Sequence, residues 1–127
     1  MKTLTIQQVL FIHSRLIAET GGTVGLRDIG LLESAMARPF ASFDGKDLYP
    51  ELFEKASAML DSIVNNHPFL DGNKRVGITS AVLFLRMNGR LLKCTQVELE
   101  SITMQVATNH APIDEITTWF KDHCTAS

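Results

Sequence analysis

The stretch HPFLDGNKRVGITSAVLFLRMNG, residues 67–89, joins two predicted helices and decides how the chain folds. Pro68 cannot continue a helix, so the preceding helix must end beside it. A new helix is predicted to begin near Asp71 or Gly72 and to run to the Asn-Gly pair at 88–89, a common helix stop. The segment is therefore a tight connection between two helices that must pack against each other.

The middle of the second of these helices, from Ile78 to Leu85, is apolar on nearly every side. Such a helix is buried, so it is predicted to be the central and fully enclosed helix of the fold. Pro50 suits the first turn of the helix before it. That helix carries a broad apolar stripe formed by Leu52, Phe53, Ala56, Met59, Leu60, Ile63 and Val64. One further turn of the stripe places His67 at the inner C-terminal end of the helix.

Two more helices are predicted before this pair. Thr5 and Gln8 have the spacing of a capping box, which opens a helix that ends at Gly21-Gly22. One face of that helix is formed by Ile6, Val9, Leu10, His13, Leu16 and Ile17. Asp28 can cap a second helix, which Pro39 ends.

Two helices are also predicted towards the C-terminus. Thr95 and Glu98 form a second capping box, opening a helix that runs to about Thr108. Pro112 starts a last helix, whose apolar residues are Ile113, Ile116, Trp119 and Phe120. No convincing alternating strand and no internal repeat is found along the chain. The sequence therefore predicts an all-α fold, a compact helical bundle in which residues 1–127 form one domain.

Length and composition agree with a single folded domain of 127 residues, since 45% of them are hydrophobic and 20% are charged. Cys94 and Cys124 have no metal-binding or disulfide spacing, which favours free thiols. The net charge of −2 argues against nucleic acid as the main partner. The sequence shows no signal peptide and no run long enough to span a membrane, so we expect a cytoplasmic protein that does not bind membranes.

One connection between the predicted helices is longer than the others. Residues 38–50, RPFASFDGKDLYP, form a loop of about a dozen residues, and loops of that length inside compact domains are often functional. Asp44-Gly45 could turn a short hairpin there. A solvated connector explains any single residue of the loop equally well.

Residues 67–75 combine groups that would serve phosphate chemistry. His67 is the side chain there that accepts a proton near neutral pH, and Asp71 is a natural ligand for Mg²⁺. The start of a helix binds anions, and Gly72, which has no Cβ, would let a phosphate approach the backbone. Lys74 and Arg75 add positive charge. Taken singly, His67 and Asp71 are more often helix caps, but capping does not explain why all these groups converge.

HPFLDGNKR resembles the signature of the Fic/Doc family, His-x-Phe-x-Asp/Glu-Gly-Asn-Gly/Lys-Arg. The segments GGTVGLRDIGLLESAMARPF, DLYPELFEKA and FLRMNG are similar to the Doc (death-on-curing) branch, so the resemblance covers most of the chain. It implies a compact, all-helical toxin of a type II toxin–antitoxin module. No Glu in the chain is followed by Gly or Asn, as the self-inhibitory motif of the family requires, so a separate cognate antitoxin is the implied inhibitor.

The resemblance also implies a role for each signature residue. His67 would activate a hydroxyl of the target protein, Phe69 would be the buried anchor, and Asp71 would bind Mg²⁺. The nucleotide phosphates would be held by Gly72, Asn73, Lys74 and Arg75. Residues 38–50 fall where the family has its flap, a hairpin-like segment that docks the target backbone by strand addition. The docking residues would be Phe43, Asp44, Gly45 and Lys46.

Two positions favour phosphoryl transfer over AMP transfer. AMP-transferring Fic proteins have Gly at the position of Lys74 and Arg at that of Ile78, and the Doc branch shares both changes with this chain. The resemblance thus implies an ATP-dependent protein kinase that modifies a translation factor, elongation factor Tu, and arrests translation. Gly72 points the other way, because AMP-transferring proteins share it while the founding Doc toxin has Ala. AMP transfer to a protein hydroxyl and a non-catalytic binding module remain the alternatives.

Overall fold

The computed structural model describes residues 1–126. Within that range the chain forms six α-helices and one short 3-10 helix. The helices are α1 (Ile6–Thr20), α2 (Ile29–Ala37), α3 (Leu52–Asn66), α4 (Asn73–Met87), α5 (Gln96–Asn109) and α6 (Ile113–His123), and the 3-10 helix is Arg38–Phe40. The predicted compact helical fold is confirmed.

Local capping interactions define several of the helix ends. The Thr5 hydroxyl accepts the backbone N–H of Gln8 at 3.1 Å, and the Gln8 side chain accepts that of Thr5 at 2.8 Å. Thr95 and Glu98 repeat this reciprocal pair at the start of α5. Asp28 caps α2 by accepting a backbone N–H from its first turn. Each bond satisfies an N–H group that has no partner inside the helix, so the predicted starts of these helices are confirmed.

The start of α3 differs from the prediction. The sequence places Pro50 in the first turn, whereas α3 begins at Leu52. Glu51 is the N-cap residue, and its backbone N–H donates to Glu54 Oε1 at 3.1 Å. A side chain three residues ahead supplies the cap acceptor, and Pro50 remains outside the helix.

α3 lies at the centre of the fold. It packs against α2, the 3-10 helix, α4, α5 and α6, so even its Ser57 and Ser62 are buried. α4 is buried along most of its length, but Val82 and Leu83 are only half-buried, and Leu83 lines an open groove beside α1. The predicted enclosure of α4 is therefore incomplete, and α3 occupies the more central position.

A glycine allows the close crossing of α3 and α4. A Cβ atom at Gly77 would lie 2.8 Å from Val64 Cγ2, inside van der Waals contact. One hydrophobic core runs through this crossing and includes residues from all six helices. Phe69, from the loop between α3 and α4, is among its largest fully buried side chains. No helix among residues 1–126 has both the length and the apolar content needed to cross a membrane.

The predicted hairpin in the 38–50 segment is present. β1 (Ser42–Phe43) pairs antiparallel with β2 (Lys46–Asp47). The turn residues Asp44 and Gly45 have φ angles of 54° and 77°. Positive φ at both central residues is the two-residue hairpin turn that Asp-Gly favours, so this local signal predicts the turn correctly.

A second small sheet was not predicted. β3 (Arg90–Leu92) pairs antiparallel with β4 (Cys124–Ala126), with Leu91 opposite Thr125. The sequence shows no convincing alternating strand here, so this pair is found only in the structure. Strands of three residues are too short for an alternating pattern to be recognised, and this pair joins segments that are far apart in the sequence.

Candidate active site

α3 ends at His67, which adopts the left-handed conformation with φ 51° and ψ 58°. This conformation is unusual for a residue with a side chain, and here Pro68 forces the chain out of the helix. Arg27 holds the turn in place, because its Nε donates to the His67 carbonyl at 2.6 Å and its Nη2 donates to the Asn66 carbonyl at 2.8 Å. His67 itself is exposed to solvent.

The loop that follows His67 is hydrogen-bonded to the connection between α1 and α2. The Pro68 carbonyl accepts the backbone N–H groups of Arg27 at 2.8 Å and Asp28 at 3.0 Å. The backbone N–H of Leu70 donates to the Gly25 carbonyl at 3.1 Å. This support was not predicted, since the sequence of residues 21–28 carries no pattern that indicates its pairing partner.

Phe69, the predicted anchor of the loop, is 2% exposed and stacks on His13. The two rings are 3.9 Å apart and nearly parallel. His13 is also buried, and its Nε2 lies 2.8 Å from the Asp71 carbonyl oxygen. A carbonyl only accepts, so His13 Nε2 carries the proton in this bond. His13 thus holds both the anchor and the backbone next to the predicted metal ligand, a role that its place on an apolar helix face did not reveal.

The Asn73 side chain faces the loop. Its Oδ1 accepts the Phe69 backbone N–H and its Nδ2 donates to the Phe69 carbonyl, both at 3.0 Å. Nδ2 also lies 3.4 Å from His67 Nδ1, which is long for a hydrogen bond and does not define the tautomer of the ring. The sequence predicts Asn73 among the phosphate-binding residues, but its amide is 8% exposed and is used to hold the loop. In this structure the Asn73 amide holds the loop, and its binding of phosphate stays a prediction.

The Asp71 carboxylate lies at the mouth of the site. Its Oδ2 accepts the backbone N–H of Thr23 at 3.1 Å, and its Oδ1 accepts that of Gly72 at 2.8 Å. These two bonds lower the pKa of Asp71 below its ordinary value, with smaller contributions from the nearby charges of His13 and Arg75. The group is therefore ionised at neutral pH.

Asp71 fits the predicted role of Mg²⁺ ligand in its chemistry. An ionised carboxylate has about four lone-pair positions, of which the two backbone bonds use half. Residues 1–126 contain no group of three or more His, Cys, Asp or Glu that could hold a metal ion together. A single protein carboxylate matches the way Mg²⁺ is bound beside phosphates, with the nucleotide and water completing its coordination.

Gly72 begins α4 with a φ of 78°, a conformation that favours glycine. A Cβ atom there would lie 3.3 Å from Ile17 Cδ1 and 3.6 Å from His13 Nε2, so a side chain would crowd α1. Free N–H groups of the first turn and the positive end of the helix dipole lie beside it. This is the backbone of an anion site.

Lys74 and Arg75 lie on the exposed first turn of α4, and neither forms a salt bridge within the part of the chain that the structure describes. Both line a cleft of about 260 Å³ that also contains Asp71 and Gly72. Both also line a cavity of about 290 Å³ between α4 and α5, where Ile78 forms part of the wall. Two unpaired cations thus flank the anion site.

The flap, residues 38–50, borders a separate groove whose other side is formed by the C-terminal end of α3. This groove has a volume of about 650 Å³, and its lining includes Ser42 of β1 and Asn66 beside His67. The predicted docking residues form the exposed tip of the hairpin and comprise Phe43, Asp44, Gly45 and Lys46. His67, Asp71 and the start of α4 therefore belong to one short connection between α3 and α4, and the flap faces Asn66 across the separate groove.

The fold and the site define a helical protein that presents a histidine beside an anion-binding helix start. A sequence model of the Fic/DOC family matches residues 3–85, and the chain belongs to this family, as predicted. The match ends within α4 and includes the flap and the signature. A protein of Mycolicibacterium smegmatis named Toxin Doc is 43% identical over 98 residues, which are 76% of this chain and 75% of that protein. A protein of Escherichia phage P1 named Protein kinase doc is 29% identical over 116 residues, or 91% of this chain and 90% of the relative.

Proposed function

We propose that this protein is a toxin that transfers the γ-phosphoryl group of ATP to a hydroxyl of a target protein, elongation factor Tu, and thereby arrests translation. The observation that carries the proposal is that one connection between two helices carries both His67 and the cleft of Asp71, Gly72, Lys74 and Arg75. The Asn73 amide lies between them, 3.4 Å from His67 Nδ1. The names of the two relatives, a toxin and a protein kinase, support the same assignment.

The residues of the site would divide the chemistry as follows. The target hydroxyl oxygen attacks the γ-phosphorus, the bond to the β-phosphate oxygen breaks, and ADP leaves. His67 accepts the hydroxyl proton at Nε2, the ring nitrogen that does not contact Asn73. Lys74, Arg75 and the start of α4 offset the negative charge of the phosphates. Asp71 would hold Mg²⁺, which would supply further charge neutralisation.

Two residues of α4 support phosphoryl transfer over AMP transfer. Lys74 places a long cationic side chain where AMP-transferring relatives have glycine, so less space is left for the phosphates at that point. Ile78 is 8% exposed and forms an apolar wall of the α4–α5 cavity, where those relatives have a phosphate-binding arginine. A separate antitoxin would inhibit the protein, since the sequence lacks the self-inhibitory motif.

The transferred group can be identified by labelling. We expect purified protein to label elongation factor Tu when ATP carries the label at the γ-phosphate, with no labelling from the α-phosphate. Addition of EDTA should abolish the reaction, because Asp71 is itself negatively charged and the proposal assigns to Mg²⁺ the charge that offsets it and the phosphates. Label transfer only from the α-position would replace the kinase assignment by AMP transfer, which Gly72 favours. A His67→Ala preparation is the control for contaminating kinases.

Lys74→Gly is expected to lower kcat/KM for phosphoryl transfer by about 10-fold to 100-fold, the effect of losing one charged hydrogen bond. Glycine also weakens the helix by about 1 kcal/mol. Lys121→Gly on α6 controls for that loss, because Lys121 is exposed and pairs with Glu51 away from the site. Steady-state kinetics with varied ATP measure the effect. An unchanged rate would show that Lys74 does not shape the position of the phosphates.

A further inference from the structure

Lys55, in α3, is a buried cation that the proposed chemistry does not use. It is 4% exposed, which is rare for lysine. Its ammonium has three N–H donors and three oxygen acceptors within hydrogen-bonding distance. The acceptors are the carbonyl of Pro39 at 3.3 Å, the carboxylate of Asp47 at 3.3 Å and the carbonyl of Tyr49 at 2.5 Å. The buried charge is therefore fully satisfied.

All three acceptors lie at the base of the flap. Pro39 precedes β1, Asp47 ends β2, and Tyr49 follows β2. One ammonium thus holds both ends of the hairpin, and the ring of Phe40 covers it with its centroid 5.5 Å from Nζ. A backbone bond of 3.0 Å from Leu48 N to the Ala41 carbonyl closes the same base.

Beyond its base the hairpin has little to hold it, while at the base Arg38 also links the Tyr49 hydroxyl to Asp61 and Ser62 of α3. Its strands have two residues each, and every residue from 42 to 48 is exposed. A two-stranded hairpin of this size is not stable alone and makes no core of its own. Its position relative to the rest of the protein therefore depends on its base.

The helix that carries Lys55 also carries the proposed catalytic base. His67 follows Lys55 by 12 residues, so the two lie about 18 Å apart along the axis of α3 at 1.5 Å per residue. The groove between the flap and the end of α3 is lined by Ser42 and by Asn66. A target segment that pairs with the flap would therefore be held at a set distance from His67.

We propose that Lys55 is a positioning residue that clamps the flap to α3, so that an extended target segment paired with the flap presents its hydroxyl to His67. The inference rests on the proposed function for the role of the flap, while the clamp itself rests on the contacts of Lys55. Loss of the clamp should weaken productive binding of the protein target. It should not change nucleotide binding, because Lys55 does not line the clefts around Lys74 and Arg75.

Lys55→Met tests the clamp, since methionine keeps much of the side-chain length without the charge. We expect the Leu48 amide, followed by hydrogen exchange, to exchange at least about 10-fold faster while the amides of α3 and α4 keep their protection. KM for elongation factor Tu should rise at least about 10-fold, with kcat and the Kd for ADP changed less than about twofold. Lys55→Arg should restore much of the loss. Lys121→Met is the control for removing an exposed lysine.

Asp47→Asn serves as a second variant in case Lys55→Met does not fold. Asp47 is half exposed, so the change removes one arm of the clamp and leaves the core intact. It should raise the exchange rate of the Leu48 amide and KM for the target in the same direction, by smaller factors. These results would support the clamp without depending on the first variant.

Three outcomes are informative, and each would overturn a different statement: the clamp, its role in target docking, or the proposed target. Unchanged exchange at Leu48 in folded Lys55→Met would show that Lys55 does not hold the flap. Faster exchange with an unchanged KM would show that the clamp does not serve target docking, while the proposed function stands. No transfer to elongation factor Tu by the wild type would overturn the proposed target, and the exchange experiment would still decide whether the clamp exists.

Discussion

His67→Ala is expected to lower the rate of transfer to the target by about 10²-fold to 10⁴-fold, the range for loss of a general base. Expression of the variant should no longer arrest growth. The fold should remain, because the His67 side chain is exposed and its one polar contact, to Asn73, is 3.4 Å long. The change is measured by steady-state kinetics of phosphoryl transfer and by growth after induced expression.

Two control variants distinguish the loss of the imidazole group from a change in the backbone conformation at position 67. His67→Asn keeps a residue that tolerates the left-handed conformation but removes the base, so it should be as inactive as His67→Ala. His110 ends α5 in the same conformation, with φ 50° and ψ 50°, and His110→Ala should leave the activity unchanged. If His67→Ala is as toxic as the wild type, His67 is not a catalytic base and the protein is a non-catalytic binding module.

Asn73→Ala is expected to reduce transfer about 10²-fold and to lower the free energy of unfolding by about 1–3 kcal/mol. The stability loss follows because the N–H and carbonyl of buried Phe69 both lose their partner. The rate loss follows because the loop between His67 and Asp71 loses two of the hydrogen bonds that hold it. Denaturant unfolding and transfer kinetics measure the two effects, and ADP titration shows whether nucleotide binding is retained.

Asn88→Ala is the matched control, since Asn88 plays a similar part at the other end of α4. Its amide bonds the Lys2 backbone at 2.9 and 2.8 Å and the Phe84 carbonyl at 2.8 Å. This variant should lose comparable stability but keep its activity per folded molecule. If Asn73→Ala keeps full stability and loses only nucleotide affinity, then Asn73 binds phosphate and the positioning role is wrong.

The features that the sequence predicted well depend on neighbours in the chain. Capping boxes at Thr5 and Thr95 involve residues three apart, and the Asp44-Gly45 turn depends on two adjacent residues. Pro68 ends α3 because its ring cannot enter a helix. Such signals act within one or two turns, so no knowledge of the fold is needed to use them.

The features that were missed join segments that are distant in the sequence. His13 reaches the backbone of Asp71, 58 residues away, and Arg27 reaches His67 across 40 residues. The sequence carries no signal that marks Lys55 as buried, and β3 and β4 show no alternating pattern. In each case the partner is brought near only by the packing of the helices.

The sequence by itself determined the helical class, the capped starts of α1, α2 and α5, the hairpin turn and the grouping of residues 67–75, because each follows from local backbone chemistry and apolar periodicity. Tertiary structure alone decided which groups those residues contact. It turned Asn73 towards the Phe69 backbone and brought His13 and Arg27 to the loop. The physical reason is that buried polar groups must find partners, and only the packed fold determines which groups are buried together.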